Sequence, residues 1–114
     1  MGAHMTSDRT RTVVRHHLEA LKAGDVEEIL SDYAEDAVMV TNLGGVTSGV
    51  AALRSLFAAL PPDSVADIEV VSEVYDGDVG VIVWTTKSVP FGTDSFVLRD
   101  GKIAVQTAAV HLGA

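Results

Sequence analysis

Gly24-Asp25 stands between two short amphipathic runs, and this corner constrains the fold of the chain more than any other feature. Val13, Val14, His17, Leu18 and Leu21 recur at steps of three and four, which makes one apolar stripe on a helix. Lys22 and Ala23 supply a basic last turn, and Gly24 tolerates the left-handed conformation of a C-terminal cap. Asp25 can cap a second helix, with Glu27 and Glu28 favoured in its first turn by the helix dipole. Val26, Ile29, Leu30 and Tyr33 form the stripe of that second helix. Two helices joined by so tight a corner must fold against each other or against a sheet.

Ala37 to Thr41 then reads as a short strand, Asn42 to Gly45 as a turn and Ser48-Gly49 as a break. Val50, Leu53, Leu56, Phe57 and Leu60 give a third helical stripe, ended by Pro61-Pro62-Asp63 because proline cannot continue the ladder. The remainder reads as strands at Asp67–Tyr75, Val79–Ser88, Asp94–Arg99 and Ile103–His111. An Asp-Gly between alternating runs, here Asp100-Gly101, is a strong hairpin signal. Helices first and a four-strand meander afterwards predict an α+β domain with a mostly antiparallel sheet. With 114 residues the chain has the length of one domain. Met1–His4 reads as an expression-tag remnant and 5–114 as a single domain.

The net charge of -8 argues against nucleic acid and against an anionic membrane surface, since both need clustered Lys and Arg. No cysteine is present, so neither a disulfide framework nor a thiolate site is expected. No apolar run approaches the roughly 20 residues that span a bilayer, and cytoplasmic residence is the expectation. The histidines show no zinc spacing: His16 and His17 are neighbours pointing about 100° apart on a helix, so neither metal nor cofactor is expected. There is no phosphate loop and no nucleophile elbow.

Two residues stand out as candidates for acid–base chemistry. His17 belongs to the apolar stripe of the first helix, where it is either a core-edge histidine or a pocket-lining donor or base. Asp94 shares a strand face with Phe96 and Leu98, while Arg99 on the other face should meet water. An inward carboxyl beside apolar groups is costly to ionise and could give up a proton, unless it merely caps the turn after Phe91-Gly92. Tyr33 and Trp84 are weaker candidates, as often core anchors as ligand contacts; with Phe57, Phe96 and Gln106, and with Thr41 through the resemblance drawn below, they are the residues expected around a ligand. The parity of the last strand is ambiguous: Lys102 and Gln106 share one face, Ile103 and His111 the other, and a bulge would reverse either.

The runs GDVEEILSDYAEDAV, SGVAALRSLF and FVLRDGKI resemble the nuclear transport factor 2-like superfamily, in the branch of ketosteroid isomerase and the SnoaL-like polyketide cyclases. The resemblance covers about Val14 to Val110 and implies a cone-shaped fold, three helices on a curved sheet around one apolar pocket. Ketosteroid isomerase uses an Asp base with a Tyr and a protonated Asp as oxyanion donors. On this chain the tyrosine falls at His17, the base at Thr41 and the protonated aspartate at Asp94. The implied function is an isomerase or cyclase acting on an apolar carbonyl compound by acid–base catalysis without metal. The alternative is a non-catalytic module that binds an apolar ligand or dimerises. The resemblance also implies a homodimer, formed through a sheet whose strands Val79–Thr86 and Ala104–Val110 are apolar on both faces.

Overall fold

Thr6 opens the first helix, its side chain accepting from the Arg9 N–H, and α1 runs over Ser7–Ala23. Gly24 ends it in the left-handed region at φ 70, and Asp25 starts α2 (Val26–Leu30) by accepting from the Glu28 N–H. The corner therefore forms as the sequence predicts. The computed structural model describes residues 6–61 and 63–112, so the expected tag remnant, Met1–His4, and both ends of the expected 5–114 domain lie outside the described residues.

The second helix is shorter than its stripe suggests. Ser31 ends it, and Tyr33 is the first residue of β1 (Tyr33–Thr41) rather than the last of a helix. The spacing of four from Ile29 to Tyr33 imitates helical periodicity across a helix-to-strand junction. A second short strand, β2 (Gly45–Ser48), pairs back on β1 where the sequence reads only as turns. The third helix, α3 (Val50–Ala58), follows. Four further strands complete the chain: β3 (Glu69–Asp76), β4 (Val79–Thr85), β5 (Phe91–Arg99) and β6 (Lys102–His111).

All six strands form one sheet in the order β2-β1-β6-β5-β4-β3. Every pairing is antiparallel except β1 with β6, which is parallel. At the β5–β6 hairpin, Asp100 and Gly101 both take positive φ (53 and 79), the geometry of a tight hairpin turn that glycine adopts freely. One inner face collects the core. Val14, Leu18, Leu30, Leu53, Phe57 and Phe96 are all buried there, from all three helices and the sheet.

A bulge resolves the parity of the last strand. Leu98 pairs with Ile103 but Val97 with Val105, so Ala104 is one extra residue and both Ile103 and Ala104 are buried. From there Gln106 faces the core with Phe96 and Met39 as its lateral neighbours. His111 ends the strand exposed, its ring stacked on Phe91 at 5.3 Å.

Candidate functional site

The inner face of the sheet carries a line of polar side chains through an apolar core. Asp94 on β5 accepts from the Trp84 indole N–H at 2.8 Å and from the Gln106 amide at 2.8 Å. The Gln106 carbonyl accepts from the Tyr33 hydroxyl, whose oxygen lies 3.4 Å from His17 Nε2. Trp84, Asp94, Gln106, Tyr33 and His17 thus form one relay across β4, β5, β6, β1 and α1. Exposure runs only from 0% at His17 to 9% at Asp94.

Local sequence explains each placement. Trp84 can lie flat against β5 because Gly92, its partner in register, has no side chain; a Cβ there would stand 2.6 Å from Trp84 Cε2. That leaves the indole N–H aimed at Asp94, two residues further on the same face. The Ala104 bulge turns Gln106 inward, and the early start of β1 puts Tyr33 beneath α1. His17 is held by ring edges: Tyr33 at 5.3 Å, Phe96 at 5.8 Å and Phe57 at 6.4 Å between centroids.

The direction of the relay follows from its donors. An indole N–H and an amide N–H can only donate, so both Asp94 oxygens act as acceptors. With the Gln106 amide turned to Asp94, its carbonyl takes the single Tyr33 proton. The Tyr33 oxygen is left as an acceptor, 3.4 Å from His17 Nε2, and would take a proton carried on that nitrogen. All these dipoles point toward the carboxyl, and such chains strengthen cooperatively.

Burial pushes the Asp94 carboxyl above its ordinary range, opposed by the bonds from Trp84 and Gln106. Among the described residues no cation forms an ion pair with it. Burial, with help from the neighbouring His16, pushes His17 down to about 3, so its imidazole is neutral. Burial also raises the Tyr33 phenol well above its ordinary value, and the Asp94 carboxylate adds to the effect. His17 Nδ1 is buried and, among the described residues, has no hydrogen-bond partner. Leaving such a group unmet costs about 1–3 kcal/mol.

Seven of the eight expected site residues meet in this cluster, including Phe57 and Phe96 as its apolar wall. Thr41 does not. It shares a lateral row with Asp94, but Ala108 stands between them, and its hydroxyl accepts from the Gly44 N–H at 2.7 Å in the β1–β2 turn. His17 and Asp94 also share no direct hydrogen bond, because Tyr33 and Gln106 separate them. Gly92 is the participant that the sequence reading passed over. Its signal was its parity with Asp94 opposite the strand carrying Trp84.

The relay is nearly closed to solvent. An open cleft of about 550 Å³ is lined by Tyr33 with Leu30, Val50 and Arg54 among others, and one of about 330 Å³ lies between α1, α2, α3 and the following loop, lined by Leu21, Lys22, Ile29, Phe57 and Asp63 among others. Phe57 lines the smaller cleft and also meets His17. Among the described residues no group of three metal-ligating side chains assembles, and no helix is long and apolar enough to cross a membrane.

A family model described as a SnoaL-like domain matches residues 14–106. The chain belongs to the SnoaL-like family. Its fold is nuclear transport factor 2-like, as solved structures show. An NTF-2 like protein of unknown function from Burkholderia xenovorans LB400 superposes with a TM-score of 0.81 at 21% identity, covering 94% of this chain and 86% of that one. A Kribbella flavida DSM 17836 protein proposed to be a ketosteroid isomerase gives 0.81 at 19% identity, covering 95% and 82%. A SnoaL-like protein of unknown function from Burkholderia thailandensis gives 0.78 at 19% identity, covering 95% and 98%. At these identities the likeness extends to the fold alone. No curated protein sequence matches this SnoaL-like chain.

Proposed function

We propose that this SnoaL-like protein takes a small apolar carbonyl compound and moves a proton on it by metal-free acid–base chemistry, in the manner of an isomerase or cyclase. The observation that carries the reading is the buried Asp94 carboxyl, held by two neutral donors and, among the described residues, paired with no cation. A carboxyl in that setting keeps its proton to higher pH than one in water and so comes nearer to working range as a general acid or base. His17, at the far end of the relay, packs its ring against Tyr33 and helps to orient it.

A second reading, an apolar-ligand binder without catalysis, is favoured by Thr41. It cannot ionise where the family resemblance places the base, and its hydroxyl is occupied in a turn. Exchange of the substrate's acidic C–H separates the two. Small molecules extracted from the native protein and identified by mass spectrometry are returned to it in heavy water. The enzyme reading expects deuterium uptake beside the carbonyl, slowed about 100-fold or more in Asp94→Asn, the range of general acid–base contributions. Equal uptake in wild type and variant would leave the binder.

A further inference from the structure

Gln106 is the link of the relay that can be turned over. Its amide carries a donor and an acceptor of nearly equal size on opposite sides, so a half-turn exchanges them without moving a neighbour. As it stands, the amide nitrogen donates to Asp94 Oδ2 at 2.8 Å and the carbonyl accepts from Tyr33. Trp84, which can only donate, holds Asp94 Oδ1 at 2.8 Å. A proton added to Asp94 therefore belongs on Oδ2, where it meets the Gln106 N–H, donor against donor. Among the described residues the Asp94 carboxyl has no further side-chain partner to receive it. Turning the amide over removes the conflict. Asp94 then donates to the Gln106 carbonyl, Gln106 donates to the Tyr33 oxygen, and the Tyr33 proton turns to His17 Nε2, 3.4 Å away.

We propose that Gln106 couples the two ends of the relay: when Asp94 takes up a proton, the Gln106 amide turns over and the hydrogen bonds between Asp94 and His17 all reverse. One proton enters from solvent, onto Asp94, and no other group changes its charge. With Asp94 ionised, His17 carries its proton on Nε2 and offers it to Tyr33. With Asp94 protonated, Tyr33 donates to a bare Nε2 and the imidazole proton moves to Nδ1. A mixed arrangement would set two donors or two acceptors face to face, so the chain reverses as a unit. Gln106 is thus a positioning residue, which sets where Tyr33, on the wall of the open cleft, points its proton. The groups around the relay leave Asp94 in control of it. β4 offers Asp94 the uncharged Ile82 and Trp84, and β6 the uncharged Ala108 and Gln106. From β1 comes Tyr33, whose phenol feels the Asp94 and Asp32 carboxylates, from α1 His17 with His16 beside it, and from α3 Phe57. Burial holds Tyr33 and His17 neutral, so Asp94 is the member of the relay left to titrate in ordinary buffers.

NMR of the protein alone, labelled with carbon-13 and nitrogen-15, tests this. Imidazole nitrogens with and without a proton resonate far apart, so the tautomer of His17 is read directly. Between about pH 9 and pH 4 its two nitrogen resonances should exchange places, with the same midpoint as the Asp94 carboxyl carbon. The ring itself stays neutral down to about 3, so such an exchange is tautomeric and not the formation of an imidazolium. Asp94→Asn, whose amide N–H takes the place of the added proton, should hold His17 in the low-pH tautomer throughout. Gln106→Leu should leave Asp94 titrating while His17 no longer follows. An Asp94 carbon that does not titrate in this range, a His17 that keeps one tautomer through the Asp94 transition or follows His16 instead, an Asp94→Asn protein in the high-pH form, or a His17 that still follows Asp94 in Gln106→Leu would each overturn the proposal. No substrate enters these measurements. A relay that inverts in a protein that exchanges no C–H upholds this inference and refutes the acid–base reading alone.

Discussion

At the residue scale the relay makes opposite demands on pH at its two ends. An unfolded His17 takes up a proton near its ordinary 6.5, whereas the buried one resists until about 3. Its folded value is lowered, so stability is full above the unfolded value and falls as the pH drops between the two, at up to about 1.4 kcal/mol per pH unit. His17→Gln, which can still donate to Tyr33, should remove this part of the acid slope in urea titrations run from pH 7 to 4. Asp94 has the other sign. Its raised folded value costs stability as the pH climbs from the unfolded value through the folded one, and Asp94→Asn should flatten that segment. Gly92→Ala is the steric test of the site: the added methyl must displace the Trp84 ring, so the tryptophan near-ultraviolet circular dichroism band should change and the denaturant midpoint should fall.

Among the elements, the corner at Gly24-Asp25 was legible because local chemistry alone specifies it, a left-handed cap followed by an acceptor at the next helix start. Asp25→Ala should therefore cost about 1 kcal/mol in equilibrium unfolding. Tyr33 was misplaced for the converse reason. Nothing in the sequence between Leu30 and Tyr33 separates one more helical turn from an immediate strand, and pairing with Ile103 on β6 decides it. Likewise Gly45–Ser48 has no strand pattern of its own and becomes β2 by pairing with β1. The inward faces of His17, Asp94 and Phe96 could be read from period alone, while that of Gln106 depended on the bulge at Ala104, which only the register across the hairpin reveals. His16 adds a clasp at the α1–α2 joint, with Nδ1 on Asp32 at 2.6 Å and Nε2 on Glu28 at 2.9 Å. Those bonds raise the His16 value, although burial pushes Asp32 itself up. A raised histidine stabilises below its unfolded value and stops doing so as the pH rises through the folded one. The melting temperature of wild type should therefore exceed that of His16→Gln at pH 6 and converge with it by about pH 9.

For the whole molecule, the face of the sheet turned away from the helices remains to be covered. Val79, Val97, Val105 and Val38 lie side by side in register across β4, β5, β6 and β1, and Val81 and Val40 flank the next row. Val79, Val97 and Val105 are 38–45% exposed in the single chain. A sheet apolar on both faces fits burial on both. We expect a homodimer closed across this valine row. Light scattering should give twice the chain mass for wild type and the chain mass for Val97→Lys, and a wild-type monomer at every concentration would refute the assembly.

The parallel pairing of β1 with β6 also dictates when this protein can become itself during synthesis. Tyr33 and Gln106 are 73 positions apart, so the ribosome finishes α3, β3, β4 and β5 before the neighbour of β1 exists. Until then β1 has β2 on one side and an unpaired ladder of amide and carbonyl groups on the other, the kind of edge that recruits stray strands. Closing so long a loop is slow, and β1 keeps that open edge until β6 has been made. The link from Tyr33 to Asp94 through Gln106 must wait for β6, and any chain that lacks β6 has no relay.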